Sequence, residues 1–307
     1  MREIVVVSGK GGSGKTSVTA ALASVIGQKE KIVLCDYDVD APDMHILAHP
    51  YETQAEDFVS GNLAQFDASV CADCEECLDY CQFGAIERAG ECDYRVQESA
   101  CEGCKACVAL CPMQAFTFVP RHCGHSYVSQ TRFGPFVHAQ LTPGGENSGR
   151  LITVLKQKAA QIAREKGIET ILSDGTPGIG CPVISSLAGA TLAVIVTEAT
   201  PSGLSDFERI AALCAQFRLP FVVIINKTGL NDSVKARLTE RVAALGGRVV
   251  GELPFTTEVT EAMIQTHTLV EHGGQLAGVF EQLWQNTEEF LQQKMKARRR
   301  TIAIKSL

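Results

Sequence analysis

The sequence predicts an α/β fold, a mostly parallel sheet covered by helices on both faces, with a small α+β module inserted into it. Three observations predict this. Short apolar, β-branched runs alternate with helical stretches along most of the chain, and strands alternating with helices build a parallel sheet covered on both faces. The first such run ends in a cluster of glycines and is followed at once by an alanine-rich helix. Eight of the 13 cysteines are packed into two tight runs in a segment with no long apolar period.

The elements follow in order. Ile4 to Val7 is a β-branched strand, and Thr16 to Ile26 reads as a helix. Lys31 to Asp36 gives a second buried strand, after which the pattern changes near Phe58 to Asn62. Further buried strands are expected at Thr170 to Asp174, Leu192 to Thr197, Phe221 to Asn226 and Arg248 to Gly251. Helices are expected at Ser148 to Lys166, Ser202 to Phe217 and Asp232 to Leu245, with Gln275 to Lys296 as a terminal helix leading into a basic tail. The expected division is 1–60 and 121–285 for the two parts of the main domain, 61–120 for the insert, and 286–307 for the helix end and tail.

Composition sets the class. The 307 residues are 45% apolar and 21% charged, which suits one sizeable core plus a smaller module. No run approaches the ~20 apolar residues of a membrane span. A net charge of −7 argues against a polyanion-binding surface, so nucleic acid is not an expected partner. The tail carries Lys294, Lys296, Arg298, Arg299, Arg300 and Lys305 and mixes them with Met295, Ile302, Ile304 and Leu307. It has no aromatic residue and few large apolar ones, so a solvated end is expected rather than a membrane anchor.

Gly9 to Thr16 matches G-x4-G-K-[ST] between a strand and a helix. In that setting the backbone N–H groups of Gly11, Gly12, Ser13 and Gly14 converge on phosphate oxygens, and the helix N-terminus adds a favourable field. Lys15 offers a point charge to the β/γ-phosphates, and Thr16 can bind Mg²⁺. ATP or ADP with Mg²⁺ is the expected ligand.

The cysteines follow C-x2-C-x2-C-x3-C twice: Cys71, Cys74, Cys77 and Cys81, then Cys101, Cys104, Cys107 and Cys111, with Pro112 behind. This is the spacing for two [4Fe–4S] clusters in which the fourth cysteine of each run ligates the other cluster. It assigns Cys71, Cys74, Cys77 and Cys111 to one and Cys101, Cys104, Cys107 and Cys81 to the second. Zinc is the alternative, but four ligands per ion would leave the third and fourth cysteines of each run unexplained. A disulfide framework is not expected, because no apolar signal segment opens the chain and free thiols suit a reducing cytosol; a cytoplasmic protein follows.

Lys10 adds a second lysine inside the glycine loop. With it, the chain resembles the MinD/ParA superfamily of deviant Walker A ATPases carrying an inserted two-[4Fe–4S] ferredoxin domain, related to the Mrp/Nbp35 cluster carriers and the nitrogenase iron protein. The cysteine runs resemble those of bacterial two-cluster ferredoxins, except that Gln82 stands where their first run usually has proline. The resemblance implies that Lys10 reaches a partner's nucleotide, so that ATP drives a homodimer or a heterodimer with a paralogue. It implies that Asp38, in Cys35-Asp36-Tyr37-Asp38-Val39-Asp40, positions the attacking water; the roles of Asp36 and Asp40 are not separated. Asp174 would lie near Mg²⁺ with Thr16, Gly178 would sense the γ-phosphate, and Asn226 with Pro254 would meet the base.

Some residues are left over. Cys181 lies seven residues after Asp174, and its resemblance to a cluster-ligand cysteine at the same spacing in the nitrogenase iron protein permits a third cluster shared between protomers, with a plain loop end before Pro182 as the simpler reading. Arg121-His122-Cys123-Gly124-His125 could be a metal or exchange site, with a surface turn as the simpler reading. Cys35 and Cys214 read as buried small hydrophobes, and Cys92 as an isolated thiol. The function expected is an ATPase that couples hydrolysis in a dimer to electron transfer through two retained clusters, with an unidentified redox or iron–sulfur acceptor protein. A cluster assembly or carrier ATPase is the alternative, and a MinD-like spatial organiser with redox-sensing clusters is a further one.

Overall fold

The computed structural model describes residues 1–145 and 147–305, with side chains up to residue 296. In chain order it forms β1 (Arg2–Ser8), α1 (Lys15–Gly27), β2 (Ile32–Asp36), α2 (Met44–Ala48), β3 (Tyr51–Phe66), α3 (Glu76–Tyr80), β4 (Ile86–Gly90), β5 (Asp93–Val96), α4 (Ala106–Leu110), β6 (Phe116–Thr131) and β7 (Gly134–Leu141). There follow α5 (Ser148–Lys166), β8 (Thr170–Pro177), α6 (Cys181–Leu187), β9 (Leu192–Glu198), α7 (Pro201–Gln216), β10 (Phe221–Thr228), α8 (Asp232–Ala244), β11 (Arg248–Pro254), α9 (Glu258–Ile264), α10 (Leu269–His272) and α11 (Leu276–Lys305). The chain divides into two units: Met1–Ala55, Ser126–Gln140 and Ser148–Leu307 form the first, and Glu56–His125 with Leu141–Asn147 the second.

The first unit is built on a sheet ordered β11-β10-β9-β1-β8-β2-β7-β6-β3. The pairs β1/β8, β1/β9, β2/β8, β2/β7, β9/β10 and β10/β11 are all parallel. Strand periodicity divides the core in two. Ile4 and Val6 face one layer with Leu22, Ile26, Phe280 and Trp284, while Val5 and Val7 face the other with Phe207, Ile210 and Leu238. Each such side chain contributes about 1.5–3 kcal/mol by burial, so both faces of the sheet are covered by helices for the same reason. Asp36 pairs in register with Asp174, which brings two carboxylates to the same end of neighbouring strands as the glycine loop leaving β1.

The helix α11 packs Phe280, Leu283, Trp284, Phe290 and Leu291 onto this core, and its backbone stays helical to Lys305. The side chains of Arg298, Arg299, Arg300, Ile302, Ile304, Lys305 and Leu307, on which the reading of the tail rests, lie outside the described residues. Among the described residues no helix is long and apolar enough to cross a membrane.

The second unit has a small core of Ala64, Ala85, Ile86, Tyr94, Cys101, Ala115 and Phe116, with β4 and β5 as an antiparallel pair. Phe66 meets Tyr94 edge-on at 5.5 Å between ring centroids and Phe116 at 5.2 Å. Its two cysteine loops repeat at a spacing of thirty residues, helix for helix: α3 in the first is matched by α4 in the second. The left-handed backbone positions repeat too, with Asp73 matched by Gly103, Glu75 by Lys105 and Gly84 by Gln114. Left-handed backbone costs a non-glycine residue about 1–2 kcal/mol, and four of these six are not glycine. At Gly103, φ 63°, an ideal Cβ would stand 2.7 Å from the Asn62 carbonyl oxygen, so only glycine fits.

Candidate functional site

The glycine loop between β1 and α1 opens onto a cavity of about 730 Å³, a size ordinary for a small-molecule site. Lys10, Gly11, Gly12, Ser13, Gly14, Lys15 and Thr16 line it, with Asp38, Asp40, Asn226, Lys227 and Pro254. Gly14 adopts φ 89°, and an ideal Cβ there would lie 2.4 Å from the Asn226 amide nitrogen. Asn226, at the end of β10, donates from Nδ2 to the Ser13 carbonyl at 2.8 Å and so braces the loop. Two hydroxyls at this site, Ser13 Oγ and Thr176 Oγ1, are buried with no hydrogen-bond partner. Buried hydroxyls are usually satisfied, so a polar ligand suits the cavity.

Asp174, within β8 and 1% exposed, gathers the donors. Its Oδ2 is 2.7 Å from Lys15 Nζ and accepts from Thr16 Oγ1 at 2.7 Å, and its Oδ1 accepts from Thr19 Oγ1 at 2.8 Å. Burial disfavours the Lys15 ammonium, but Asp174, Asp36 and Asp38 outweigh it and hold its pKa above the ordinary lysine value. The three aspartates of the β2 end separate by contact. Asp36 is buried, and its carboxylate accepts from the backbone N–H of Asp38 at 2.9 Å and of Met44 at 3.2 Å. Burial, then the Asp174 charge, raise its pKa well above the usual carboxylate range. Asp36 therefore shapes the loop that presents Asp38. Asp38 is part-exposed to the cavity with Oδ2 3.7 Å from Lys15 Nζ, and burial raises its pKa against the pull of Lys15. Asp40 lines the cavity wall.

A second charge cluster holds the loop's extra lysine. Glu198, at the end of β9, accepts from Lys10 Nζ at 2.7 Å through one oxygen and from Lys227 Nζ at 2.7 Å through the other. Lys227 also donates to the Gly12 carbonyl at 3.0 Å. Burial opposes ionisation of Glu198, but the hydrogen bonds from Lys10 and Lys227 prevail and hold its pKa below the ordinary value. The Gly178 N–H donates to the Ser8 carbonyl at 2.9 Å. Cys181 opens α6 and is exposed. Cys35 and Cys214 are fully buried, and burial pushes both thiols up to about 12; they behave as small hydrophobes.

In the second unit one small pocket is lined by Cys71, Cys74, Cys77 and Cys111, and another by Cys101, Cys104, Cys107 and Cys81. Each run thus contributes three sulfurs to one pocket and its fourth to the other. Backbone N–H groups point at several of them: Asp73 to Cys71 Sγ at 3.4 Å, Ala85 to Cys81 Sγ at 3.2 Å and Ala115 to Cys111 Sγ at 3.4 Å. Gln82 donates its backbone N–H to the Tyr80 carbonyl at 3.1 Å, a bond that proline at this position could not make.

Sequence reasoning missed three participants. Thr19 reads as one more core position of an alanine-rich helix, although it lies one turn after Thr16 on the same face. Glu198 and Lys227 belong to recognisable segments, but the bond from Lys10 to Glu198 spans 188 residues and that from Lys227 to the Gly12 carbonyl joins equally distant parts of the chain, which leaves no local signal.

These features define a P-loop nucleotide-binding domain of the α/β class. Residues 4–269 match the CobQ/CobB/MinD/ParA nucleotide binding domain, and the chain belongs to that family. It is similar to the uncharacterized protein MJ0578 of Methanocaldococcus jannaschii, at 28% identity over 289 residues, 94% of this chain and 97% of that protein. Its fold is similar to that of the septum site-determining protein MinD of Pyrococcus horikoshii, solved in complex with Mg-ADP, with a TM-score of 0.55 at 16% identity over 92% of this chain and 93% of that one. A 53-residue stretch is 34% identical to the pyruvate synthase subunit PorD of M. jannaschii, covering 17% of this chain and 62% of that subunit.

Proposed function

We propose that this MinD/ParA-type ATPase couples ATP hydrolysis in a dimer to electron transfer through two [4Fe–4S] clusters held by its own cysteines. The observation that carries the reading is the sorting of eight cysteines into two pockets of four, with the fourth member of each run exchanged. Zinc fits these sets poorly. Zinc ribbons use paired C-x2-C motifs, whereas here the third cysteine of each run joins its own pocket and the fourth crosses to the other. Soft thiolates in this arrangement suit a cubane. Such clusters supply one-electron chemistry, and the N–H groups aimed at Cys71, Cys81 and Cys111 would tune its potential.

At the nucleotide site, Thr16 Oγ1 and the Asp174 carboxylate are hard oxygen donors that suit Mg²⁺. Lys15 would exchange its carboxylate partners for β/γ-phosphate oxygens, and Asp38 would orient the attacking water. Lys10 would leave Glu198 to reach the nucleotide of the second protomer, either a copy of this chain or a paralogue. Asn226 and Pro254 would flank the base, and the Gly178 N–H would turn from Ser8 to the γ-phosphate. Reduced thiols in such numbers suit a cytoplasmic setting, and a redox or iron–sulfur protein would accept the electron.

The test is anaerobic: iron and sulfide per chain, electron paramagnetic resonance of the reduced protein, and oxidation by an acceptor ferredoxin with and without MgATP. About eight iron per chain and a rate that responds to MgATP in wild type but not in Lys15→Ala are the expected results. Equal rates with and without MgATP would remove the coupling. Iron passing to an apo-acceptor on ATP addition would instead favour a cluster carrier.

A further inference from the structure

The HCGH segment contributes to a separate cluster of side chains. Asp57, on β3, places Oδ1 3.1 Å from His125 Nδ1 and 3.4 Å from His122 Nε2, both on β6. All three ligand atoms lie within 4.8 Å of one another. Ligands bound tetrahedrally at about 2.0–2.1 Å stand about 3.3 Å apart, close to both of these separations.

The arrangement departs from regular strand geometry. Residues three apart on a regular strand face opposite sides, yet the rings of His122 and His125 are 4.7 Å apart. The burial pattern breaks between them, where Cys123 and Gly124 are both buried. An irregularity of this kind, like a bulge, re-aims a side chain. Cys123 turns inward and donates its S–H to the Ser60 carbonyl at 3.1 Å, so it takes no part. A surface carboxylate–imidazole pair is worth ~1 kcal/mol or less, which gives little reason to hold two imidazoles on one carboxylate.

We propose that Asp57, His122 and His125 bind a single divalent cation of the Zn²⁺ class, at a site that shares no residue with the cysteine sets. Two imidazoles and one carboxylate form a donor set that suits borderline transition metals rather than Mg²⁺ or Ca²⁺. Three protein ligands leave a fourth position open, and the side chains are 70%, 41% and 42% exposed for Asp57, His122 and His125. The site is therefore an exchangeable or reactive one, in contrast to a closed four-ligand structural site.

The experiment uses the full-length protein, purified anaerobically with its iron in place. Zn²⁺ is titrated by calorimetry, and the zinc-loaded protein is studied by X-ray absorption at the zinc edge, which iron does not obscure. One zinc per chain is expected, with a first shell of nitrogen and oxygen at about 2.0–2.1 Å and no sulfur at about 2.3 Å. Asp57→Asn, His122→Ala and His125→Ala should each weaken binding by more than about tenfold, with ATP binding unchanged as the folding control. A sulfur-rich first shell, no measurable binding, or variants that bind as tightly as wild type would each overturn the assignment.

Discussion

Asp174 accepts from Thr16 and Thr19 and pairs with Lys15, while almost entirely buried. Removing one donor leaves a buried charge short of a partner, a cost of about 1–3 kcal/mol. Thr19→Val should lose that much stability in urea unfolding and weaken MgATP binding, and an unchanged midpoint would show that Thr19 is only a core residue. Glu198 presents the opposite case, one carboxylate offsetting the charge of two lysines that line the cavity. Glu198→Gln should free that positive charge and tighten ATP binding by roughly three- to tenfold at low salt, measured by calorimetry; equal or weaker binding would refute the offset. The glycine loop and the cysteine spacings were legible in the sequence because a few adjacent residues carry the whole constraint. Thr19 and Glu198 were not, because their partners come from distant strands and their own residue types are common.

At the scale of elements, buried strands announce themselves and half-exposed ones do not. The runs beginning at Ile4, Leu192 and Phe221 are continuous apolar stretches and read correctly as strands. The first half of β3, from Tyr51 to Asp57, is exposed throughout and offers no apolar alternation to read. The β6–β7 hairpin escaped notice too, although it carries a half-buried histidine. His138 on β7 stacks on Phe136 at 4.3 Å and on Tyr127 at 5.0 Å, and its Nε2 meets Ser129 Oγ at 3.1 Å. Burial, aided by the nearby His45, lowers its pKa from 6.5 to about 4. The unfolded chain therefore binds a proton that the folded chain refuses. The contribution of this histidine is complete above pH 6.5 and is lost as pH falls from there toward 4. Thermal midpoints of His138→Gln should fall less steeply than wild type over that window, and parallel curves would remove His138 as the cause.

For the whole molecule, the family assignment and the position of Lys10 make association the property to measure. Lys10→Ala should bind nucleotide yet stay monomeric with MgATP in light scattering, while wild type dimerises; a variant that dimerises equally would leave Lys10 without its cross-protomer role. The parallel sheet was legible as a whole because its period is set by burial on both faces. That residues 141–147 group with the second unit was not, since no local pattern marks them. That unit has a small core, and on the proposed two-cluster reading, chelation of the iron should unfold Glu56–His125 while leaving ATP binding intact, as followed by limited proteolysis. Because each loop lends its last cysteine to the other pocket, one half by itself presents no complete set of four. The two halves of this unit are therefore interdependent, because neither cysteine run alone lines a full pocket.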